Sequence, residues 1–138
     1  MKQTQGSLTV QTNGPGLYEC THDIASWTGE HSVSSGLLTV FIQHTSASLL
    51  IQENADPAVL DDLLTAFERL APVAGSYTHT AEGPDDMPAH IKAALSQTSL
   101  SVPVAEGQLV LGTWQGIYVF EHRTRPHSRQ LVLHLVGS

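Results

Sequence analysis

Two short apolar runs joined by a polar link constrain this chain more than anything else in it. Leu37 to Ile42 is almost wholly apolar and β-rich, and it arrives at Gln43-His44-Thr45-Ser46. A second run, Leu49 to Ile51, leaves that link and delivers Gln52-Glu53-Asn54 and then Asp56. Runs of this length and composition suit buried strands. Polar side chains capable of chemistry are therefore expected at strand ends, aimed at one place. Two later stretches have the same character, His79 to Lys92 (HTAEGPDDMPAHIK) and Leu111 to Arg123 (LGTWQGIYVFEHR). The expectation is that all three meet around one metal-centred pocket.

The remaining pattern places these stretches on elements. Ser7 to Thr12 reads as a strand, Asn13-Gly14-Pro15-Gly16 as a turn, and Leu17 to Thr21 as its hairpin partner. His22 to Glu30 fits a short helix. Leu37 to Gln43 is expected to be a strand buried on both faces, with Ser48 to Gln52 the next strand. Asp56 to Leu70 is the clearest helix: Asp56 suits the N-cap, Pro57 the first helical position, and Val59, Leu60, Leu63, Leu64, Phe67 and Leu70 form one apolar stripe. Asp85 or Asp86 can cap a second helix ending near Leu95. Thr98 to Val104, Gln108 to Leu111, Ile117 to His122 and Arg129 to Val136 read as strands. About eight strands and two or three helices in mixed order predict one α+β domain over residues 1–138, with a mixed, mostly antiparallel sheet. Two helices cannot cover both faces of so many strands, so the sheet must curl or bury a face against another subunit.

Charge and cysteine content exclude several functions. Only 14% of residues are charged and 41% are hydrophobic, which is globular composition. The formal charge of -7, with six Lys and Arg, argues against nucleic acid, whose phosphates need clustered cations. One cysteine excludes a disulfide framework within the chain. No stretch has signal-peptide or membrane-spanning length, so a soluble cytoplasmic protein without a membrane partner is expected.

Eight histidines stand in the chain, and three of them fall where a site could form. His44 ends a strand, His79 sits in a loop and His90 on a helix. Three imidazoles from separate elements can make a three-ligand metal site with an open position; the alternative is that each hydrogen-bonds loop backbone. Glu53 and Glu82 are candidate general bases or supports for a metal-bound histidine. Asp56, Asp85 and Asp86 are read first as helix caps. Thr45 and Ser46 suit hydrogen-bond donation to an anion, and Lys92 reaches the same pocket only if that pocket is broad. Trp114 and Gln115, between Gly112 and Gly116, either wall a pocket or belong to the core. No nucleotide-binding glycine motif and no serine-nucleophile elbow is present.

QHTSASLLIQENADP, EGPDDMPAHIKAALSQTSLSVPV and LGTWQGIYVFEHR closely resemble the YjbQ-like family, in order and over nearly the whole chain. The resemblance implies a compact α+β fold whose sheet curls into a half-barrel, assembled as a homotrimer. It also implies a secondary thiamine-phosphate synthase activity, joining a pyrimidine-methyl diphosphate to a thiazole phosphate with release of pyrophosphate. It maps a metal triad onto His44, His79 and His90, an ENxDP signature onto Glu53, Asn54, Asp56 and Pro57, and a TWQG signature onto Trp114 and Gln115. Arg129 is carried as a candidate phosphate ligand, although the loop from Arg123 to Arg129 departs from the family's commoner Gly-Pro-Arg form.

The expected function is therefore a small-molecule enzyme acting on a phosphorylated substrate with a divalent metal, zinc before magnesium. Its catalytic groups are Glu53, Glu82 and Lys92. Its substrate ligands are Thr45, Ser46, Asn54, Trp114, Gln115 and Arg129. Its metal ligands are His44, His79 and His90. The rival readings are a zinc-dependent hydrolase of a small ester or phosphoester, and a non-catalytic trimeric module that binds a metabolite.

Overall fold

The computed structural model describes residues 1–138. Eight strands and three helices follow in the order β1 (Lys2–Asn13), β2 (Gly16–Glu19), α1 (Thr21–Gly29), β3 (Gly36–Ile42), β4 (Ala47–Glu53), α2 (Pro57–Leu70), α3 (Asp86–Leu95), β5 (Ser99–Ala105), β6 (Gln108–Leu109), β7 (Gln115–Glu121) and β8 (Pro126–Gly137). The α+β class and a sheet curled into a half-barrel are as expected. The strands form a five-stranded sheet, β1-β8-β3-β5-β6, and a three-stranded sheet, β2-β7-β4. Every ladder is antiparallel.

The core lies between the two sheets. Leu38, Val40 and Ile42 from β3 and Leu131, Leu133 and Leu135 from β8 meet Ala47 and Leu49 from β4 and Ile117 and Val119 from β7. Alternation along each strand puts these residues on one face. The chain crosses between sheets at the Gln43–Ser46 link, and Leu49 N–H is tied to Gln97 C=O at 2.6 Å on the approach to β5. The helix α2 begins as its sequence dictates: Asp56 Oδ1 accepts the Ala58 N–H at 2.9 Å, with Pro57 at the first position.

Two expectations about the strands fail, for one reason. Leu17 to Thr21 was expected to pair with the first strand. Instead β1 pairs over its whole length with β8, Lys2 opposite Gly137 through Asn13 opposite Pro126, and β2 pairs with β7 in the other sheet. Leu37 to Gln43 was expected to be buried on both faces, yet Leu37 and Phe41 are 40% and 45% exposed. The doubly buried strand is β7, which is buried from Gly116 to Glu121. Both α2 and α3 lie over the small sheet, where Phe67 of α2 packs its ring 4.9 Å from that of Phe120. The large sheet's outer face is left open.

Where β7 ends, a carboxylate is fully buried. Glu121 has no solvent exposure and accepts from five donors. Arg129 Nε and Nη2 reach it at 2.7 and 2.5 Å, Thr12 Oγ1 at 2.5 Å, and the His122 and Arg123 backbone N–H groups at 3.0 and 3.1 Å. Burial alone would raise its pKa; Arg129 and the other donors reverse this and hold it below the ordinary value. Removing one partner of such a pair strands the other charge away from water. Arg129→Met is expected to cost about 3–5 kcal/mol of folding stability in urea titrations; a loss below about 1 kcal/mol would show that Glu121 finds other compensation.

Candidate functional site

The site is built on the first turn of α3. Gly83 takes a φ of 105°, a left-handed conformation natural to glycine, and turns the chain from the His79 loop into the helix. Asp86 and His90 are then four residues apart on one helix face, so their side chains meet. His90 Nε2 lies 3.1 Å from Asp86 Oδ2, and His79 Nε2 comes from the loop to within 2.6 Å of the same oxygen. The two imidazole rings stand edge to face, with centroids 5.4 Å apart.

Arg123 holds this turn in place. Its Nη1 donates to Asp86 Oδ1 at 2.7 Å, its Nε to Asp85 Oδ2 at 2.9 Å, and its Nη2 to Glu82 C=O at 2.9 Å. Asp85 stands at the expected N-cap position of α3, but its side chain makes no capping hydrogen bond: its Oδ2 also accepts from Thr124 N–H and Oγ1. Burial pushes the Asp85 pKa up, but Arg123 and Thr124 outweigh it and bring the value down to about 2. Asp86 is also held low: burial opposes ionisation, and His79, Arg123 and His90 more than offset it. Both carboxylates are thus anions at neutral pH.

The hydrogen-bond chemistry of His90 decides what the cluster can hold. Its Nδ1 is 3.0 Å from Thr45 C=O, and a carbonyl can only accept, so Nδ1 carries a proton. A neutral His90 then presents a bare lone pair at Nε2 to the Asp86 carboxylate. Two acceptors at 3.1 Å repel unless a cation lies between them. Either a second proton makes His90 an imidazolium, or a metal ion takes that position. An Nδ1–H held by a carbonyl is the usual support for an Nε2-ligating histidine. His79, Asp86 and His90 offer one ligand atom each, all within 4.8 Å of one another, so the donor set fits a divalent metal.

Of the three histidines expected to converge, two do. His79 and His90 come together, and Asp86 stands where His44 was expected. His44 Nε2 accepts the Gln130 backbone N–H at 2.8 Å, which consumes the lone pair a metal would need. Burial and then Arg129 push the His44 pKa down, so its single proton sits on Nδ1. The 3.3 Å approach of Arg129 Nη1 to that nitrogen is then a donor meeting a donor, not a hydrogen bond. The HTS stretch still reaches the site, through the Thr45 carbonyl. Beside it, Phe41, Gln43, His44, Thr45, Ser46 and Thr98 line an open cleft of about 510 Å³.

The other expected residues divide. The exposed Glu82 lies in the loop whose carbonyl Arg123 grips, so it stays by the cluster. Ser46 accepts from Arg129 Nη2 through Oγ and C=O at 3.1 and 3.2 Å, and Arg129 is committed to that loop and to Glu121. Lys92 is a correction: it is 4% exposed and paired with Glu68 of α2, on a different face of α3 from His90. Glu53 and Asn54 are a second correction. Six residues of β4 separate Glu53 from Ala47, roughly 20 Å at strand spacing. Glu53 Oε2 accepts from Ala55 and Asp56 N–H, while Asn54 Nδ2 donates to Thr113 and Gln115 C=O. Asn54 N–H also donates to Trp114 C=O, and Gln115 Oε1 accepts from Gly112 N–H. Glu53, Asn54, Trp114 and Gln115 thus form a separate knot at the far end of the small sheet, with Trp114 65% exposed. The three stretches make two clusters within the chain.

Asp86 and Arg123 are the site residues that sequence reasoning missed. An Asp four residues before a His on one helix could have flagged the first. Nothing local in the sequence marks the second.

Comparison with known proteins gives the family. The family model described as "UPF0047 protein YjbQ-like" matches residues 6–138. A UPF0047 protein from Synechocystis is 49% identical over 99% of this chain and 93% of its own length. The UPF0047 protein YjbQ of Escherichia coli is 42% identical over 96% and 97%. Among solved structures, an uncharacterized conserved protein of the YjbQ/UPF0047 family from Clostridium acetobutylicum superposes with a TM-score of 0.85 at 36% identity, over 96% of this chain and 99% of that one. A hypothetical protein from Aeropyrum pernix gives 0.90 at 29% identity, over 98% and 99%. The chain belongs to the YjbQ-like UPF0047 family.

In long-range proton–nitrogen spectra at neutral pH, His90 is expected to show a protonated Nδ1. A bare Nδ1 would mean that the Thr45 contact is not a hydrogen bond and that the facing-acceptor argument fails.

Proposed function

We propose, taking membership of the YjbQ-like family as the premise, that this chain is a metal-dependent enzyme of a small phosphorylated substrate, with His79, Asp86 and His90 as its metal ligands. One observation carries the reading: His79, Asp86 and His90 offer three ligand atoms within 4.8 Å of one another, and Thr45 C=O holds His90 Nδ1 so that Nε2 faces them. A carboxylate in the donor set widens the choice of metal. Two imidazoles suit zinc and other transition metals, and the oxygen ligand admits magnesium or manganese. Bound there, a divalent metal would supply electrophilic stabilisation to a phosphoryl or diphosphate oxygen.

The chain's own residues would orient and restrain. Arg123 holds Asp86 and the Glu82 loop; Thr45 fixes His90; Glu82, exposed beside the cluster, is the candidate base. The favoured reaction is the thiamine-phosphate synthase-like transfer that the resemblance implies, joining a pyrimidine-methyl diphosphate to a thiazole phosphate. A second reading, a metal-dependent hydrolase of a small phosphoester, gains from one feature. Of the three buried cations, Arg123 and Arg129 are committed to buried carboxylates, and Lys92 pairs with the half-exposed Glu68. The two arginines are spent and Lys92 lies on a different face of α3 from His90, so neutralising a departing pyrophosphate at the cluster falls to the metal and backbone donors.

The reading includes a homotrimer in a cytoplasmic setting; no helix is long and apolar enough to cross a membrane. The open face of the large sheet supports self-association. Three cross-strand rows run Gln3–Val136–Leu37–Pro103, Gln5–His134–Thr39–Ser101 and Ser7–Val132–Phe41–Ser99. No Lys, Arg, Asp or Glu stands in them, and ordinary exposed sheet faces carry such charges. Phe41→Lys is expected to reduce a trimeric mass to a monomeric one in sedimentation; a wild-type chain that already sediments as a monomer would refute the trimer.

Purified wild-type protein is expected to hold close to one divalent metal per chain. His79→Ala, His90→Ala and Asp86→Asn should lose it while folded, and His44→Ala should keep it. Turnover of the two phosphorylated thiamine precursors should fall at least a hundredfold in the first three. Metal loss in His44→Ala, His79→Ala and His90→Ala with retention in Asp86→Asn would restore the expected histidine triad. Metal binding and substrate binding without turnover would favour the metabolite-binding module.

A further inference from the structure

A second polar cavity lies under α2, on the Lys92 side of α3, and nothing in the metal-site reading uses it. It holds about 100 Å³, with Phe67 and Phe120 among its apolar walls and Lys92, His122, Glu68 and Glu121 as its charged and imidazole groups; both Glu121 oxygens are already taken by Arg129, Thr12 and the His122 and Arg123 N–H groups. Lys92 is 4% exposed, and its ammonium has one protein partner, the Glu68 carboxylate. The ammonium has three N–H groups, so two lack an acceptor. His122 is 3% exposed; its Nε2 lies 2.9 Å from Ser48 Oγ, and its Nδ1 has no partner.

A chain of hydroxyls fixes which nitrogen of His122 carries the proton. Ser96 Oγ lies 2.7 Å from Lys92 C=O, an obligate acceptor, so the Ser96 proton is spent there. Ser48 Oγ lies 2.6 Å from Ser96 Oγ, and its proton must fill that contact. Ser48 Oγ can then only accept from His122, so Nε2 is the protonated nitrogen. Burial, and then the Lys92 charge, hold the His122 pKa down to about 3, so the ring is neutral. Its Nδ1 is a buried lone pair without a donor, which proteins rarely leave unmet.

The cavity thus offers two donors on a full positive charge and one acceptor in want of a proton. A metal ion is disfavoured by the ammonium. A fully deprotonated anion would set a lone pair against Nδ1. The complement is an oxyanion that keeps a proton, its oxygens toward Lys92 and its O–H toward Nδ1. The space is roughly that of three waters, enough for hydrogen phosphate or bicarbonate. We propose that the Lys92–His122 cavity binds a small proton-bearing oxyanion, with Glu68 standing in for it in the free protein. Glu68 is 51% exposed at its side chain, and an ion pair with one half-exposed partner is weakly held, so it can swing out.

The ring nitrogens of His122 report the test directly. The protein is titrated at near-neutral pH with phosphate, with bicarbonate and, as a control without a proton to give, with sulfate. Nε2 is expected to be protonated in the free protein. Phosphate or bicarbonate should shift the Nδ1 resonance saturably, and whichever does so identifies the source; sulfate should not. Lys92→Met should weaken the response at least tenfold. Glu68→Gln, on a half-exposed side chain, should strengthen it in protein that circular dichroism shows to be folded. A protonated Nδ1 in the free protein, an equal response to sulfate, or no saturable shift up to tens of millimolar would overturn the proposal and leave the cavity to water.

Discussion

The Glu121 carboxylate is the constraint on which the rest of the structure depends. It is wholly buried where β7 leaves the small sheet, and an unpaired charge there would cost more than the fold's margin. Its donors come from three places at once: Thr12 on β1, Arg129 on β8 and the turn at His122 and Arg123. Satisfying one carboxylate therefore fixes the two sheets against each other. Arg129 then extends the lock to the HTS link through Ser46, and that link carries the Thr45 carbonyl to His90. The site is positioned by a buried charge two steps away from it.

Arg123 repeats the device at the next position of the chain. Its backbone N–H serves Glu121, while its guanidinium serves Asp85, Asp86 and the Glu82 carbonyl. The two Asp86 oxygens are thereby divided, one for the arginine and one for the two histidines. Such a carboxylate keeps its charge and orientation whether a proton or a metal faces it. Few cations remain beyond these: of six Lys and Arg, Arg123 and Arg129 serve buried carboxylates and Lys92 pairs with the half-exposed Glu68.

What the sequence disclosed depended on whether the signal was local. The α2 helix was legible because its cap, proline and apolar stripe all lie within one segment. The strands were legible from their composition, but their partners were not, because β1 spends its whole length on β8 and leaves β2 to the other sheet. Histidines 79 and 90 were legible as candidate ligands by residue type, and the fold brings them together. Asp86 was hidden by a second plausible role, since an acidic residue at a helix start is ordinarily read as a cap. His44 misled for the opposite reason: its position at a strand end looked like a ligand's, and its use by the Gln130 N–H is set by a strand 86 residues away. Glu53 looked close to the site in sequence, and strand length carried it to the far end of the sheet.

The central claim is that the His79–Asp86–His90 cluster is a cation site, and anomalous diffraction from a zinc-loaded crystal tests it most directly. The account predicts one strong peak within bonding distance of His79 Nε2, His90 Nε2 and Asp86 Oδ2, with His90 Nδ1 still on the Thr45 carbonyl. A peak that instead includes His44 and leaves Asp86 to Arg123, or no ordered zinc at the cluster, would contradict it.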